Sequence, residues 1–221
     1  MGDPTVRSRL PGLTWLASGA VVVLVLVGAF LVLRPGAGPG SSVVSGSCPK
    51  SQPPALAAGQ TRTVTLTTSK GIIVLRIEAN LSPIATGNFV TLASCGYYNG
   101  TPFHRTAKLK DGTPFVIQGG DPTGTGTGGP GYTIKDEPVT ASYKRGTVAM
   151  ARSKAANSVG SQFFIVLDDK AATILSSQNT YQIIGSVTTG MDVADAIFAA
   201  SVGIELPSAP IHVTTATVAN P

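Results

Sequence analysis

The 221-residue chain holds 26 Gly and 16 Pro, is 43% apolar and 12% charged, and its 16 basic and 11 acidic side chains leave a net charge of +5. Gly and Pro make up about a fifth of it, below the roughly 25–30% of low-complexity chains, and so few charges among so many turn formers exclude a coiled coil while allowing one or two domains with a buried core. Residues 1–59 carry Arg7, Arg9, Arg34 and Lys50 against Asp3, so the rest of the chain is only +2 and offers no electrostatic footprint for a nucleic acid.

From Thr14 to Leu33 run twenty residues without a charge, TWLASGAVVVLVLVGAFLVL. At the helical rise this covers ~30 Å, the thickness of a bilayer core, and predicts a transmembrane helix after a short tail, residues 1–13. A cleaved signal peptide has an apolar region of ~7–15 residues ending at an A-x-A-like site, whereas this run is longer and meets Arg34-Pro35. Arg7 and Arg9 before the run, against Arg34 after it, keep the N-terminus cytoplasmic by the positive-inside rule. A single-pass membrane protein with an extracytoplasmic body is expected, with secretion after cleavage as the alternative. Residues 34–60 are rich in Pro, Gly and Ser, lack helix or strand periodicity, and read as a flexible linker. The two cysteines, Cys48 in this linker and Cys95, are either a disulfide or separate thiols, and spacing leaves both open. Two Cys and two distant His do not make a structural zinc site, so no metal is expected.

From residue 61 to 221 the pattern becomes that of one β-rich domain. TRTVTLTT and GIIVLRIE, separated by Ser69-Lys70, read as a hairpin. FVIQGG, GTVAMAR, SQFFIVL, YQIIGSV and IHVTTATV follow, each rich in β-branched or aromatic residues and bounded by turn formers. Two segments are helical. Ser82-Pro83 places an N-cap before Pro at the first helical position, and Ile84, Phe89, Val90, Leu92 and Ala93 supply an apolar stripe. Thr189 to Asp192 is a capping-box-like start continued by Val193, Ala194, Ile197 and Phe198. Many short strands with two helices predict a mainly β sandwich or barrel with helices over its open ends.

Standard catalytic equipment is missing. There is no G-x-S-x-G and no H-E-x-x-H, and His212 has no Ser or Cys partner in the pattern. The pairs Asp136-Glu137 and Asp168-Asp169 read as solvated turn charges. Gly124 to Gly129 matches G-x-G-x-x-G by letter but runs into Pro130-Gly131-Tyr132 rather than a helix, so it reads as a tight glycine loop and not a phosphate cradle.

Five spaced segments remain: Phe103-His104-Arg105, Phe115 to Asp121 (FVIQGGD), Gly124 to Gly129, Ala149-Met150-Ala151-Arg152, and Ser161-Gln162-Phe163-Phe164. With GYYNGT before the first and NSVG before the last, their order and spacing resemble the cyclophilin family of peptidyl-prolyl cis–trans isomerases from about Thr61 to the C-terminal strand. The resemblance implies a closed eight-stranded antiparallel β-barrel capped by two α-helices, here preceded by one transmembrane helix and a flexible linker. It implies proline-containing polypeptide substrates, a monomer, and no cofactor. Arg105 matches the family's catalytic arginine and Gln118 the glutamine that hydrogen-bonds the substrate backbone. Phe115, Val116, Phe164 and Leu175 match the pocket for the proline ring, Ala151 and Arg152 the edge that binds the peptide main chain, and Gln162 and Tyr181 further substrate-binding positions. His104, beside the arginine, reads as a packed histidine.

The chain departs from the family in four places. The nine residues TAKLKDGTP between Arg105 and Phe115 are longer than the usual connection, so the loop 106–114 beside the pocket is extended. Val116 stands where Met is common, and Tyr181 where animal members have His. No Trp occurs in 171–181, which puts cyclosporin binding in doubt. The expected activity is accelerated rotation about Xaa-Pro bonds during protein folding. A non-catalytic peptide-binding or chaperone module is the alternative, against which Arg105 and Gln118 together weigh.

Overall fold

A computed structural model of the chain describes residues 47–201, 207 and 209–220. The tail, the apolar run 14–33 and the first part of the linker lie outside these residues. Among the described residues no helix is long and apolar enough to cross a membrane.

Eight strands and three helices follow in the order β1 (Thr61–Thr68), β2 (Gly71–Glu78), α1 (Pro83–Ser94), β3 (Arg105–Lys108), β4 (Pro114–Gly119), β5 (Thr147–Met150), β6 (Phe163–Val166), α2 (Asp169–Gln178), β7 (Ile183–Thr189), α3 (Met191–Ala200) and β8 (Val213–Ala219). They form one antiparallel sheet ordered β3-β4-β6-β5-β7-β2-β1-β8. The expected closed barrel is corrected to a half-barrel, because β3 and β8 remain edges. Just ahead of β3, an isolated bridge between Pro102 and His212 is flanked by backbone hydrogen bonds from Gly100 N to Val213 O, Val213 N to Thr101 O and Phe103 N to Ile211 O at 2.7, 2.9 and 2.8 Å. Beyond these contacts no ladder joins β3 to β8 among the described residues.

The hairpin β1–β2 shows why the sheet curls over a core. Val64 and Leu66 alternate with less buried threonines, and on β2 Ile73, Leu75 and Ile77 alternate with the less buried Val74 and Arg76, so one face is apolar. That face packs against Phe89 and Leu92 of α1 and Ala194 and Ile197 of α3. β5 and β6 break the alternation, with every residue buried, because both of their faces are covered. Val148, Met150, Phe163 and Ile165 enter the main core, while Ala149, Phe164 and Val166 face a second cluster completed by Ala171 and Leu175 of α2.

α2 corrects the expectation of two helices. Its sequence, DKAATILSSQ, buries Ala171 and Leu175 but has only two large apolar residues, Ile174 and Leu175, so it carries too narrow a stripe to announce itself. Asp168 starts it by accepting a hydrogen bond from Lys170 N at 2.8 Å. The caps of the other helices differ from expectation as well. Ser82 makes no side-chain cap bond; instead Ile84 N and Ala85 N donate to Glu137 Oε1 and Oε2 at 2.8 and 2.9 Å. Gly190, in a left-handed conformation, precedes α3 without a side-chain cap. Glu137 therefore neutralises free N–H groups and the positive end of α1, and is no mere solvated turn charge.

The linker expectation is also revised for its described part. Leu56 N donates to Pro83 O at 2.9 Å, and Gly59 N donates to Asn80 Oδ1 at 2.8 Å. A Cβ at Gly87 would overlap the Pro54 carbonyl, so this glycine lets the segment lie against α1. Cys48 and Cys95 form a disulfide across 47 positions, tying the segment to the end of the same helix.

Candidate functional site

The site lies on the outer face of the sheet, where four strands present a continuous row. Arg105 on β3 is opposite Gln118 on β4, Gln118 is opposite Phe164 on β6, and Phe164 is opposite Ala149 on β5. Because side chains alternate along a strand, Val116 and Gln118 share this face while Ile117 enters the main core.

Beside this row is a pocket of about 390 Å³ with an apolar floor of Val116, Phe164 and Leu175. Phe115, Tyr181, Ala151 and Arg152 also line it, and Arg105 and Gln118 stand at its polar side. Of the ten positions expected from the sequence, only Gln162 lies outside it, in an adjoining groove. Tyr181 meets Phe164 edge to face, with centroids 5.4 Å apart, a favourable aromatic geometry that stiffens the wall.

Three amide and guanidinium groups form a relay across the mouth. Arg105 Nη1 donates to Gln118 Oε1 at 3.3 Å, and Gln118 Nε2 donates to Gln162 Oε1 at 2.9 Å. Gln162 Nε2 in turn donates to the carbonyls of Gly126 and Gly128 at 3.0 and 2.9 Å. The glycine loop is held from beneath by Asp121, whose carboxylate accepts from the N–H groups of Thr123, Gly126 and Gly128 at 2.8, 2.7 and 3.0 Å. These are the N–H groups a phosphate would need, and the protein's own carboxylate occupies them. A Cβ at Gly128 would overlap that carboxylate. Burial raises the Asp121 carboxyl, but its hydrogen bonds from Thr123, Gly128 and Gly126 outweigh burial and hold it below the ordinary carboxylate range.

The groove containing Gln162 has a volume of about 750 Å³ and runs between the glycine loop and residues 151–153. Arg152 borders it, yet its guanidinium is committed: it pairs with Asp136 at 3.1 Å and donates to Ala155 O at 2.8 Å. Asp136 is thus a partner in the rim, not a solvated turn charge. His104 is buried as expected, and desolvation pushes its pKa down, leaving it neutral near pH 7. Among the described residues no cluster of His, Cys, Asp or Glu is arranged to hold a metal.

Sequence reasoning missed three contributors. Ile174 and Gln178 line the pocket from α2, and their signal was the Asp168 cap with Ala171 and Leu175 four residues apart. Tyr143 packs beneath it, donating to Tyr181 O at 2.8 Å. Burial pushes its hydroxyl up to about 12, so the donor stays protonated.

The family model described as "Cyclophilin type peptidyl-prolyl cis-trans isomerase/CLD" matches residues 63–218. A peptidyl-prolyl cis-trans isomerase of Helicobacter pylori (strain ATCC 700392 / 26695) is 41% identical over 142 residues, covering 62% of this chain and 81% of its own length. Isomerase cypE of Dictyostelium discoideum is 40% identical over 162 residues, 71% of this chain and 97% of the relative. Among solved structures, a Cryptosporidium parvum cyclophilin type isomerase aligns with a TM-score of 0.63 and 31% identity, covering 73% of this chain and 99% of that one. The same protein was also solved in the presence of the dipeptide Ala-Pro.

Proposed function

The chain belongs to the cyclophilin-type peptidyl-prolyl cis-trans isomerases, and from that premise we propose that its Arg105 stabilises the twisted Xaa-Pro amide while Gln118 holds the substrate backbone. Rotation about an Xaa-Pro bond gives up amide resonance over a barrier of about 18–20 kcal/mol. Reaching ~10³ s⁻¹ from the slow uncatalysed rate requires a reduction of about 7 kcal/mol. No covalent bond breaks, so the residues need only favour the twisted state over both planar ones.

The observation that carries this assignment is the Arg105–Gln118 hydrogen bond at the polar edge of an apolar pocket. With the proline ring on Val116, Phe164 and Leu175, the prolyl nitrogen faces the guanidinium. Its lone pair is delocalised in the planar amide and localised in the twisted one. A donor aimed at that nitrogen therefore gains strength only during rotation. Arg suits the role because its charge is permanent and its N–H groups are rigidly directed. Gln118, oriented by Arg105 on one side and Gln162 on the other, retains a second amide hydrogen for a peptide carbonyl. Arg152 then acts through the edge it braces rather than through a free guanidinium.

The test is Arg105→Ala in the full-length chain, assayed on an Ala-Pro peptide. The expected fall in kcat/KM is about 10²–10³-fold with an unchanged circular dichroism spectrum; equal rates for the two proteins overturn the role.

We propose further that residues 14–33 anchor the chain and that residues 61–221 work on folding polypeptides outside the cytoplasm. Support comes from the uncharged length of the run and from a disulfide, which persists in oxidising compartments. Intact mass in the membrane fraction, with the domain open to external protease in spheroplasts, is the expected result; a soluble chain lacking the run overturns it.

A further inference from the structure

The extended connection between β3 and β4 is an ordered hairpin. Leu109 N donates to Thr113 O at 2.9 Å, Gly112 N donates to Leu109 O at 3.0 Å, and Thr113 N donates to Asp111 Oδ1 at 3.0 Å. Gly112 has φ +87°, the left-handed conformation that such a turn assigns to glycine. Lys170, in the first turn of α2, reaches Asp111 Oδ2 at 3.4 Å and Thr113 Oγ1 at 3.5 Å. The hairpin therefore lies beside α2 and borders an open cleft of about 860 Å³.

This cleft adjoins the proline pocket, with Arg105, Phe115 and Ile174 lining both. Its apolar lining is Phe115, Leu109 and the 41% exposed Ile174. Its rim is cationic. Among the described residues lining it, Lys108 and Lys110 stand with one carboxylate, Asp111, which is already paired with Lys170. Neither Lys108 nor Lys110 has an ion-pair partner among the described residues, and both are exposed. The nearby carboxylates at the start of α2 are committed: Asp168 caps the helix and Asp169 accepts from Arg145 N at 2.7 Å.

We propose that this cleft is a second substrate subsite, specific for acidic side chains in the peptide flank that leaves the proline pocket past Phe115. The inference rests on the isomerase activity and names a substrate class for it. The opposite flank of the peptide takes the neutral groove beside the glycine loop. An extended chain advances about 3.3–3.6 Å per residue, and the second and third residues from the proline are the ones assigned to Lys108 and Lys110. The apolar lining receives the aliphatic part of Glu or the side chain between two acids, while the lysines meet the carboxylates with little desolvation.

The experiment measures cis–trans exchange by NMR with catalytic amounts of the full-length protein. Three peptides share one Ala-Pro core: one with neutral flanks, one with Glu at the second and third positions after the proline, and one with Glu at the second and third positions before it. One acidic peptide is expected to exceed the neutral one in kcat/KM by about 3- to 10-fold at low salt, and the ratio to fall toward one at high salt, where the Debye length is about 3 Å. Lys108→Ala/Lys110→Ala removes the preference, and Lys108→Glu/Lys110→Glu shifts it toward Lys-flanked peptides. A ratio of one for both acidic peptides, with the neutral peptide still isomerised, overturns the subsite alone. So does a preference that survives the double substitution. Failure to isomerise any peptide overturns the isomerase assignment and the subsite with it.

Discussion

The two flanks of the proline pocket are built by opposite means. On the glycine-loop side, polar backbone groups line a neutral groove, and a buried carboxylate with a relay of two glutamines fixes them. On the hairpin side, exposed lysines and a leucine line the cleft, and one surface ion pair braces it against α2. A backbone surface fixed from within accepts many side chains, because every peptide offers the same main-chain groups. A cationic side-chain surface selects by charge and tolerates replacement of its parts. The first flank is sensitive to changes out of sight beneath it, and the second mainly to changes on its surface.

The largest perturbation should separate both flanks from the fold that carries them. Replacing Cys48 and Cys95 by Ser removes a 47-residue cross-link, with an expected loss of about 4 kcal/mol in unfolding free energy by loop-closure entropy. Denaturant titration checks the loss, and a reducing agent acting on the wild-type protein reproduces it. Well below the unfolding midpoint, kcat/KM and the ratio for acidic against neutral peptides stay at wild-type values, since the bridge touches neither flank. A change in that ratio breaks the division between flanks and fold.

Asp121→Asn tests the buried side of the comparison. One of three N–H donors then faces an amide NH₂, and the charge shared by all three is lost; hydrogen bonds to charged groups are worth about 1.5–3 kcal/mol. A stability loss of about 2 kcal/mol is expected, with faster amide exchange at Gly126 and Gly128 and a higher KM for neutral peptides. The acidic-to-neutral ratio should hold, because no part of the hairpin rests on this loop. The pH dependence has a definite sign. The folded carboxyl lies below its ordinary value, so its stabilisation is complete above the unfolded-state value of about 4 and fades as pH falls from there through the folded value. In acid titrations the wild-type protein loses this increment and the Asn variant has none to lose.

The same contrast governs what could be read from the sequence. Arg105, Gln118 and Phe164 could be named from the family motifs, and the strands that carry them bring the three into one row. The apolar alternation of β1 and β2 announced the sheet. α2 was not legible because DKAATILSSQ has only two large apolar residues, Ile174 and Leu175, whereas α3, which buries as few, also shows Val193, Ile197 and Phe198; Ile174 and Gln178 were lost with α2. Glu137 and Asp136 looked like surface charges because their partners, α1 and Arg152, are distant in sequence. Residues 48–60 lacked any period, yet they are tied down by single backbone bonds and a disulfide, neither of which leaves a pattern. The open edges of the half-barrel, β3 and β8, are a matter of strand pairing, which a motif match does not measure.

Lys170→Ala is the smallest expected effect and the sharpest probe of the exposed flank. The Lys170–Asp111 pair joins side chains that are 66% and 56% exposed at 3.4 Å, and such pairs contribute about 0–1 kcal/mol. Global stability should therefore change by less than about 0.5 kcal/mol. Amide exchange at Leu109 and Thr113 should rise several-fold, because the hairpin loses its brace on α2 while its own turn bonds remain. The substitution also leaves Asp111 unpaired beside Lys108 and Lys110, where it competes with a substrate carboxylate. The acidic preference should accordingly fall by about 2-fold at low salt and be unaffected at high salt. The neutral-peptide rate is the control, and a drop in it equal to the drop for the acidic peptide would mean that the hairpin supports the proline pocket itself instead of selecting what lies beyond it.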